Sequence, residues 1–520
     1  MKVKPILLVL VLQITFNAVI AQSPFQRVIS GDGIYTSNAS QITSDKGYIL
    51  AGQNSLVKTD SSGSVKWAIY YNLVFLQSVR QTFDGGYIAC GMSLGSNNEQ
   101  DYTVIRTDSI GDTLWTRSYG GALDDWAYAI ENTQDTAYII SGSSQSFSGA
   151  YTIKINDNGD TLWTKTFVNV FARSIKPTSD GNFIIAAAGQ VAGNSGDAFL
   201  IKINQNGDTL WTRSYGNTLD ETGFDVIQTS DDGYAVIGAT NSYPNAGAMD
   251  LYLLKTDSLG NFDWSKTYGS VYVDEGYALR QTSDDGFILA GRMQGYNGGG
   301  GNCGVIGPCY DVYLIRTDNT GDTLWTKMYG GNNLDWAYSL ELTSDGGFLV
   351  TGQTESFNLG FLPLCAYLIK ADSSGNAVCN QYNTNTVINN HIAITHSGLQ
   401  IGSGGIIYPA NMIVTPVAFL EDSILCISTG MFETMKEINI FNVYPNPFND
   451  KLNFSCETNE NLQVHLYDIT ARKLLQQTFT NSISINTEQL AKGIYLYEVR
   501  NKNGVIKKGK VVKPCLHRLR

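Results

Sequence analysis

YTVIRTDSIGDTLWTRSYGG, residues 102–121, is the stretch on which the fold turns. An apolar run (Tyr102 to Ile105) leads into Asp108, Ser109, Ile110, Gly111 and Asp112, and a second run carries Leu114, Trp115 and Tyr119. Gly111 suits a turn position needing φ > 0, and Asp and Ser stabilise turns by bonding their own backbone. The stretch therefore reads as a β-hairpin. The unit returns, with Trp at 67, 115, 163, 211, 264 and 325. Its turn glycine recurs at 63, 111, 159, 207, 260, 321 and 375, a period of about 50 residues that marks an array of repeats.

A second motif precedes each hairpin. It ends a strand at Thr, turns on Asp45, Asp84, Asp135, Asp180, Asp231, Asp284 or Asp345, and restarts on an aromatic, as in DGGY. Each repeat then supplies four strands, a to d, joined as a meander. Four short antiparallel strands per unit predict an all-β, seven-bladed β-propeller of four-stranded blades. Runs such as Phe199-Leu200-Ile201 are apolar throughout, as expected for strands covered on both faces. Phe25 to Ser30 aligns with the strand-d text Trp115 to Gly120, so the N-terminal strand should complete the last blade. That blade has Cys379 where the others have Trp.

Outside the array, Met1 to Ala21 reads as a signal peptide, with Lys2 and Lys4 before an apolar core (Ile6 to Leu12). The expected organisation is 1–21 signal peptide, 22–380 propeller, 381–442 connector with some strands, 443–514 a small β-sandwich and 515–520 a tail. A net charge of −12 speaks against nucleic-acid partners, which need basic surfaces. Of eight cysteines none forms a CxxC pattern. Cys303 and Cys309 flank a Gly/Pro loop that a disulfide would staple.

The 443–514 module opens with Tyr444-Pro445-Asn446-Pro447-Phe448. A late strand begins Gly493-Ile494-Tyr495-Leu496-Tyr497, and Lys507-Lys508-Gly509-Lys510-Val511-Val512-Lys513 ends it. YPNPF, GIYLYEV and KGKVVK in this order resemble the C-terminal sorting domain of type IX secretion cargo from Gram-negative Bacteroidetes. The resemblance makes Tyr444, Pro445, Asn446, Pro447, Gly493, Tyr495, Lys510 and Lys513 the sorting motif. It implies passage across the outer membrane by the type IX machinery, ending in release or surface attachment.

The chemistry-bearing residues are sparse. The four histidines (His391, His396, His465 and His517) all lie outside the repeats, so no His-based metal site or Ser-His-Asp triad fits there. No catalytic residue is assigned. The Asp-x-x-Gly-Asp turns fail the EF-hand count, with Gly at position 4 from Asp108. Eight residues before the Thr of each a–b turn stand Asp125, Glu221, Asp274 and Asp335, with Tyr35, Val74 and Val170 in the other repeats. Converging at the channel mouth, those four acids would suit Ca²⁺. In a meander the b–c and d–a loops share the variable face, where Tyr243, Tyr296 and Phe357 are candidates to stack on a sugar. The expectation is a secreted or cell-surface, non-enzymatic protein that binds a glycan or a protein. The alternatives are a polysaccharide-degrading enzyme on the same scaffold and a structural surface component.

Overall fold

The structure, a computed structural model, describes residues 22–31, 33–95, 99–190, 196–242, 248–294, 310–357, 364–383, 387–391, 394–396, 401–402, 406–409, 414–416, 420–427, 441–444, 450–456, 461–468, 472–502 and 504–513. Among these, every regular element is a β-strand. The chain divides into two compact units, Met1–Ser428 and Thr429–Arg520.

The first unit repeats one antiparallel sheet. In the third repeat strands a to d are Asp125–Asn132, Tyr138–Ser144, Gly149–Ile155 and Thr161–Val168. The fourth to sixth repeats copy it, beginning at Val170–Pro177, Glu221–Gln228 and Asp274–Gln281. The hairpin of residues 102–121 is Gln100–Thr107 against Thr113–Gly120, with Arg106 opposite Trp115. The first repeat is the shortest. Tyr48–Thr59 holds b and c together and turns at Asn54, whose φ is 60°. Val65–Gln81 holds d and the next repeat's strand a, turning at Leu73.

The last sheet is completed from the other end of the chain. Strands Asp335–Leu342, Phe348–Thr354 and Cys365–Ala371 take Phe25–Gly31 as their fourth, in register from Phe25↔Lys370 to Ile29↔Ala366. The alignment of residues 25–30 with strand d anticipates this pairing. Strand a of each repeat touches strand a of the next, and Asp335–Leu342 touches Ala39–Ile42 of the first. Ser40 Oγ and Ser339 Oγ lie 3.0 Å apart, 299 residues apart in sequence.

The stretch after Gln381 adds a fifth strand outside strand d, one repeat after another and in reverse order. Gln381–Asn383 pairs the sixth repeat, Val387–His391 the fifth, Ile394–His396 the fourth and Ile401–Gly402 the third. Ile406–Pro409 pairs the second, Val414–Pro416 the first, and Leu420–Ile427 covers Phe25–Gly31 of the seventh. A Cys379–Cys426 disulfide ties the two ends of this excursion, closing a loop of 47 residues.

Recurring text has a recurring job. Each turn glycine sits at positive φ against the aromatic of the preceding repeat. A Cβ at Gly207 would meet Trp163, one at Gly321 would meet Trp264, and one at Gly63 would meet Phe25. Trp163 Nε1 donates to Gln205 O (2.9 Å), and Tyr215 Oη donates to Gly260 O (2.6 Å). Asp108 Oδ1 accepts from the N–H groups of Ile110 and Asp112, so these Asp residues build turns. In the a–b turns a buried strand-c cation pairs the turn Asp in every repeat, as in Lys255–Asp231 (2.9 Å) and Lys370–Asp345 (3.0 Å). The core is built between neighbours: Phe167 of the third repeat packs in one cluster with Val170, Ile185 and Ile201 of the fourth.

The second unit has two sheets. One contains Phe441–Tyr444, Lys451–Cys456 and Ser482–Asn486. The other orders Lys473–Phe479, Leu462–Asp468, Gly493–Asn501 and Gly504–Lys513. Leu452, Phe454, Val464, Leu466, Tyr497 and Val511 form their shared core.

Candidate functional site

Strand a carries a built-in irregularity. Its pairing with strand b slips by one residue at the same place in six repeats, which leaves Gln77, Tyr128, Arg173, Phe224, Tyr277 and Tyr338 as the extra residue. A β-bulge re-aims the side chain it carries, and bulges concentrate next to binding and active sites. All six line one cavity of about 380 Å³, joined by Asn38 from the first repeat. The cavity therefore takes one residue of this register from every repeat.

Its wall has two characters. Phe224 and Tyr277 pack at 5.1 Å between ring centroids, Tyr277 and Tyr338 at 5.6 Å, and Trp336 and Tyr338 at 5.9 Å. This makes an aromatic arc across the fifth to seventh repeats. Behind the lining, Arg292 stacks over Trp336 (4.2 Å) and Tyr310 (4.4 Å). Burial raises the Tyr277 and Tyr338 phenols well above their usual range, against the pull of Arg292, so both stay neutral.

Beside the arc is a charged tier. Arg80 grips Glu131 through Nε (2.7 Å) and Nη2 (2.6 Å), and Lys176 reaches the same carboxylate at 2.6 Å. Burial works to raise the Glu131 pKa, but Arg80 and Lys176 outweigh it and hold the carboxyl down to about 2. Arg280 bridges Asp225 (3.2 Å) and Glu341 (2.9 Å). Arg173 differs: its guanidinium lies 4.4 Å over the Tyr128 ring, and its buried Nε has no hydrogen-bond partner. Glu131, Asp225 and Glu341, the acids of this tier, are all tied to cations.

The residues singled out from sequence land elsewhere. Tyr243 and Tyr296 lie outside the described residues, as do Cys303, Cys309, Met1 to Ala21, Pro445 to Pro447 and the 515–520 tail. Phe357 does not stand free for stacking. It is half-buried, packed on Tyr367 at 5.6 Å within the core of the last repeats. In the second unit Tyr444 ends a strand, Gly493 begins one, and Tyr495 is buried with its hydroxyl donating to Ala491 O. Lys510 is exposed, and Lys513 Nζ donates to Thr487 O (2.6 Å).

The four acids do not meet. Asp125 accepts from Gly121 N–H (2.7 Å) and Ser146 Oγ (3.0 Å), and Asp335 from Gly331 N–H (2.8 Å) and Ser356 Oγ (2.6 Å). Glu221 and Asp274 bond their own crossing loops in the same way, through Asn217 and Ser270. Among the described residues no group of three or more His, Cys, Asp or Glu stands ready to hold a metal ion. The cavity residues were within reach of the same count. They stand three positions after the acid, or after Tyr35, Val74 or Val170 where the acid is missing, but their chemistry changes from repeat to repeat and hides the register.

An all-β array of four-stranded antiparallel sheets, followed by a separate β-sandwich, is the class these elements define. Residues 442–513 match the family described as Secretion system C-terminal sorting domain, and the protein is cargo of type IX secretion. The match gives it the machinery of that system as a partner, and secretion or the cell surface as its destination. Over 137 residues it is 34% identical to Regulatory protein FlaEY of Caulobacter vibrioides, covering 25% of this chain and 14% of that protein. The chain therefore spans about a seventh of that relative. Among solved structures it is similar to the extracellular domain of a two-component system from B. thetaiotaomicron (TM-score 0.39, 9% identity, 93% of this chain and 57% of that one). It is also similar to a protein of unknown function from Dyadobacter fermentans (TM-score 0.36, 9% identity, 67% of this chain and 98% of that one). With similarity that low, the fold rests on the strand pairing itself.

Proposed function

We propose that residues 22–427 close into a seven-bladed β-propeller whose axial cavity binds an anionic glycan at the cell surface, without turning it over. Closure is supported by the contact of the first inner strand with the last, by the shared seventh sheet, and by outer strands that visit every repeat in turn. The observation that carries the binding reading is the set of six bulges, each aiming one side chain at the same cavity. Sugar rings stack on aromatic faces, and the arc from Phe224 through Tyr277 to Tyr338 offers such faces. Arg173 supplies a buried Nε–H without a hydrogen-bond partner, a donor for a carboxylate or sulfate. The cavity is cationic at that point although the whole chain carries −12. A glycosidase needs one carboxyl that keeps its proton beside a second that is ionised, and the strong hold of Arg80 and Lys176 on Glu131 argues against that use.

Calorimetric titration of the full chain with uronic-acid oligosaccharides and with neutral ones of the same length tests this reading. The acidic set should bind more tightly. Arg173→Gln should weaken it by about tenfold, the worth of one charge-assisted bond, and leave neutral sugars unchanged. Equal affinity for both sets, or hydrolysis of either, would sink the proposal. Export is tested separately: deletion of residues 442–513 should leave the protein in the periplasm.

A further inference from the structure

Each of the four crossing-loop acids has a second carboxylate beside it, and the second one is not explained by the loop. Asp311 sits at the start of a strand c, is 3% exposed, and faces Asp335 of the next repeat, which is 0% exposed. Asp311 Oδ1 is buried without a hydrogen-bond partner, and Asp125 has Asp101 as its neighbour in the same way. The same pairing joins Asp197 to Glu221 and Asp250 to Asp274. Between the two carboxylates lies a glycine. A Cβ at Gly330 would collide with Asp311 Oδ1 and Asp335 Oδ2 together. Gly120, Gly216 and Gly269 are boxed in by their own acid pairs in the same way.

The three positions change together within this one chain. Where strand c has an acid, strand d ends in that glycine and the next strand a begins with an acid, at four junctions. At the other three all of these features are missing together. The corresponding residues are Gln53, Asn72 and Val74 in one, Gly149, Val168 and Val170 in another, and Cys365, Ser30 and Tyr35 in the third. A loop-capping role would require only the strand-a acid. It does not call for a second carboxylate brought against the first, nor for a missing side chain at the point where their oxygens converge.

We propose that each acid pair, with its glycine, is a site for one calcium ion clamped between adjacent repeats, giving four such sites per chain. Two buried carboxylates side by side repel each other and lose solvation, and a cation relieves both costs. The donors are all oxygen, which selects a hard cation, and Ca²⁺ tolerates the irregular shells that carboxylates, loop carbonyls and waters make. The charge acting on Asp311 is that of the facing Asp335, and those acting on Asp101 are the acids Asp125, Asp124 and Glu99. No Lys or Arg figures in either set. A shared proton would also reconcile the pair, but it lies on the line between two oxygens and needs no clearance at the glycine.

The test uses the full chain stripped with EDTA, then equilibrium dialysis against CaCl₂ and a thermal melt at pH 7.5 with and without it. The expected result is four Ca²⁺ per chain and a melting temperature raised by calcium. Asp311→Asn leaves the Asp335 loop bonds intact and should lower the count to three. Gly269→Ala, at another junction, should do the same. Four ions retained in both variants would overturn the assignment. So would no Ca²⁺ bound, with a melting temperature that rises on acidification and ignores calcium, because the pairs would then be holding protons. Loss of glycan affinity with the ion count unchanged would bear on the cavity alone.

Discussion

The turn face and the cavity are made by the same strands and follow opposite rules. On the turn face every repeat says the same thing. A buried cation pairs the turn Asp, and a turn glycine lies flat against the preceding repeat's aromatic. In the cavity no such rule holds: one register position reads Asn38, Gln77, Tyr128, Arg173, Phe224, Tyr277 and Tyr338. The repeated residues hold neighbours together, and the backbone bulge is repeated too. Only the side chain on the bulge is free to vary. Constancy in this molecule marks scaffold, and the proposed binding surface is the position that varies while its backbone geometry stays fixed.

If that division holds, changes on the scaffold side lower stability and spare binding. The largest effect is expected at the one repeat that departs from the pattern, where Cys379 replaces Trp and is bonded to Cys426. Opening the 47-residue loop should cost about 4 kcal/mol by loop-closure entropy, read as a drop in the guanidinium midpoint on adding reductant. Trp264→Ala should cost ~3 kcal/mol, because it removes a ring packed on Phe287 and against Gly321. An unchanged midpoint in either case would mean that the repeats are not locked at these places.

The acid pairs give the comparison a pH axis. In calcium-free protein Asp311 is raised to about 8, Asp274 to about 7, and Asp101 and Asp335 to about 6, against a usual 3.8, in each case chiefly by burial. A raised carboxyl pKa means that the fold favours the protonated form. The stability these groups contribute is therefore full below pH 3.8 and is lost as the pH rises through 6 to 8. The melting temperature in EDTA should fall between pH 5 and pH 9, on the order of 5 °C, and calcium should flatten that slope. Glu131 behaves oppositely. It is held down to about 2, so its contribution is present above pH 4.5 and disappears only as the pH drops toward 2. The smallest stability effect is expected in the cavity: Arg173→Gln should move the midpoint by no more than about 0.5 kcal/mol while lowering acidic-sugar affinity.

Much of this architecture was legible in the text. Trp, Gly and Asp recur because the turn-face contacts are the same from repeat to repeat, and the strand-d likeness of Phe25 to Ser30 pointed to their partner about 340 residues away. The outer strands were not legible. They run two to eight residues with no periodicity, since one edge of hydrogen bonds suffices to hold each one. The Cys379–Cys426 bond was hidden for the same reason: its halves meet only after the chain has passed every repeat. The strand-a acids stood out in the text as one converging group, whereas each lies beside an acid such as Asp101 or Asp311 from a different strand of a different repeat. The cavity aromatics were missed in favour of Phe357. A loop aromatic looks exposed on paper, whereas this one fills the space over Tyr367.

The cavity exists only if the ring is closed, and closure brings Ser40 and Ser339 together with their hydroxyls 3.0 Å apart. Ser40→Cys with Ser339→Cys in the full chain, oxidised at low protein concentration and read by mass spectrometry of the digest, measures that contact. A closed ring predicts a near-complete intramolecular disulfide between the two engineered positions. Both thiols remaining free, or linking only between molecules, would contradict it.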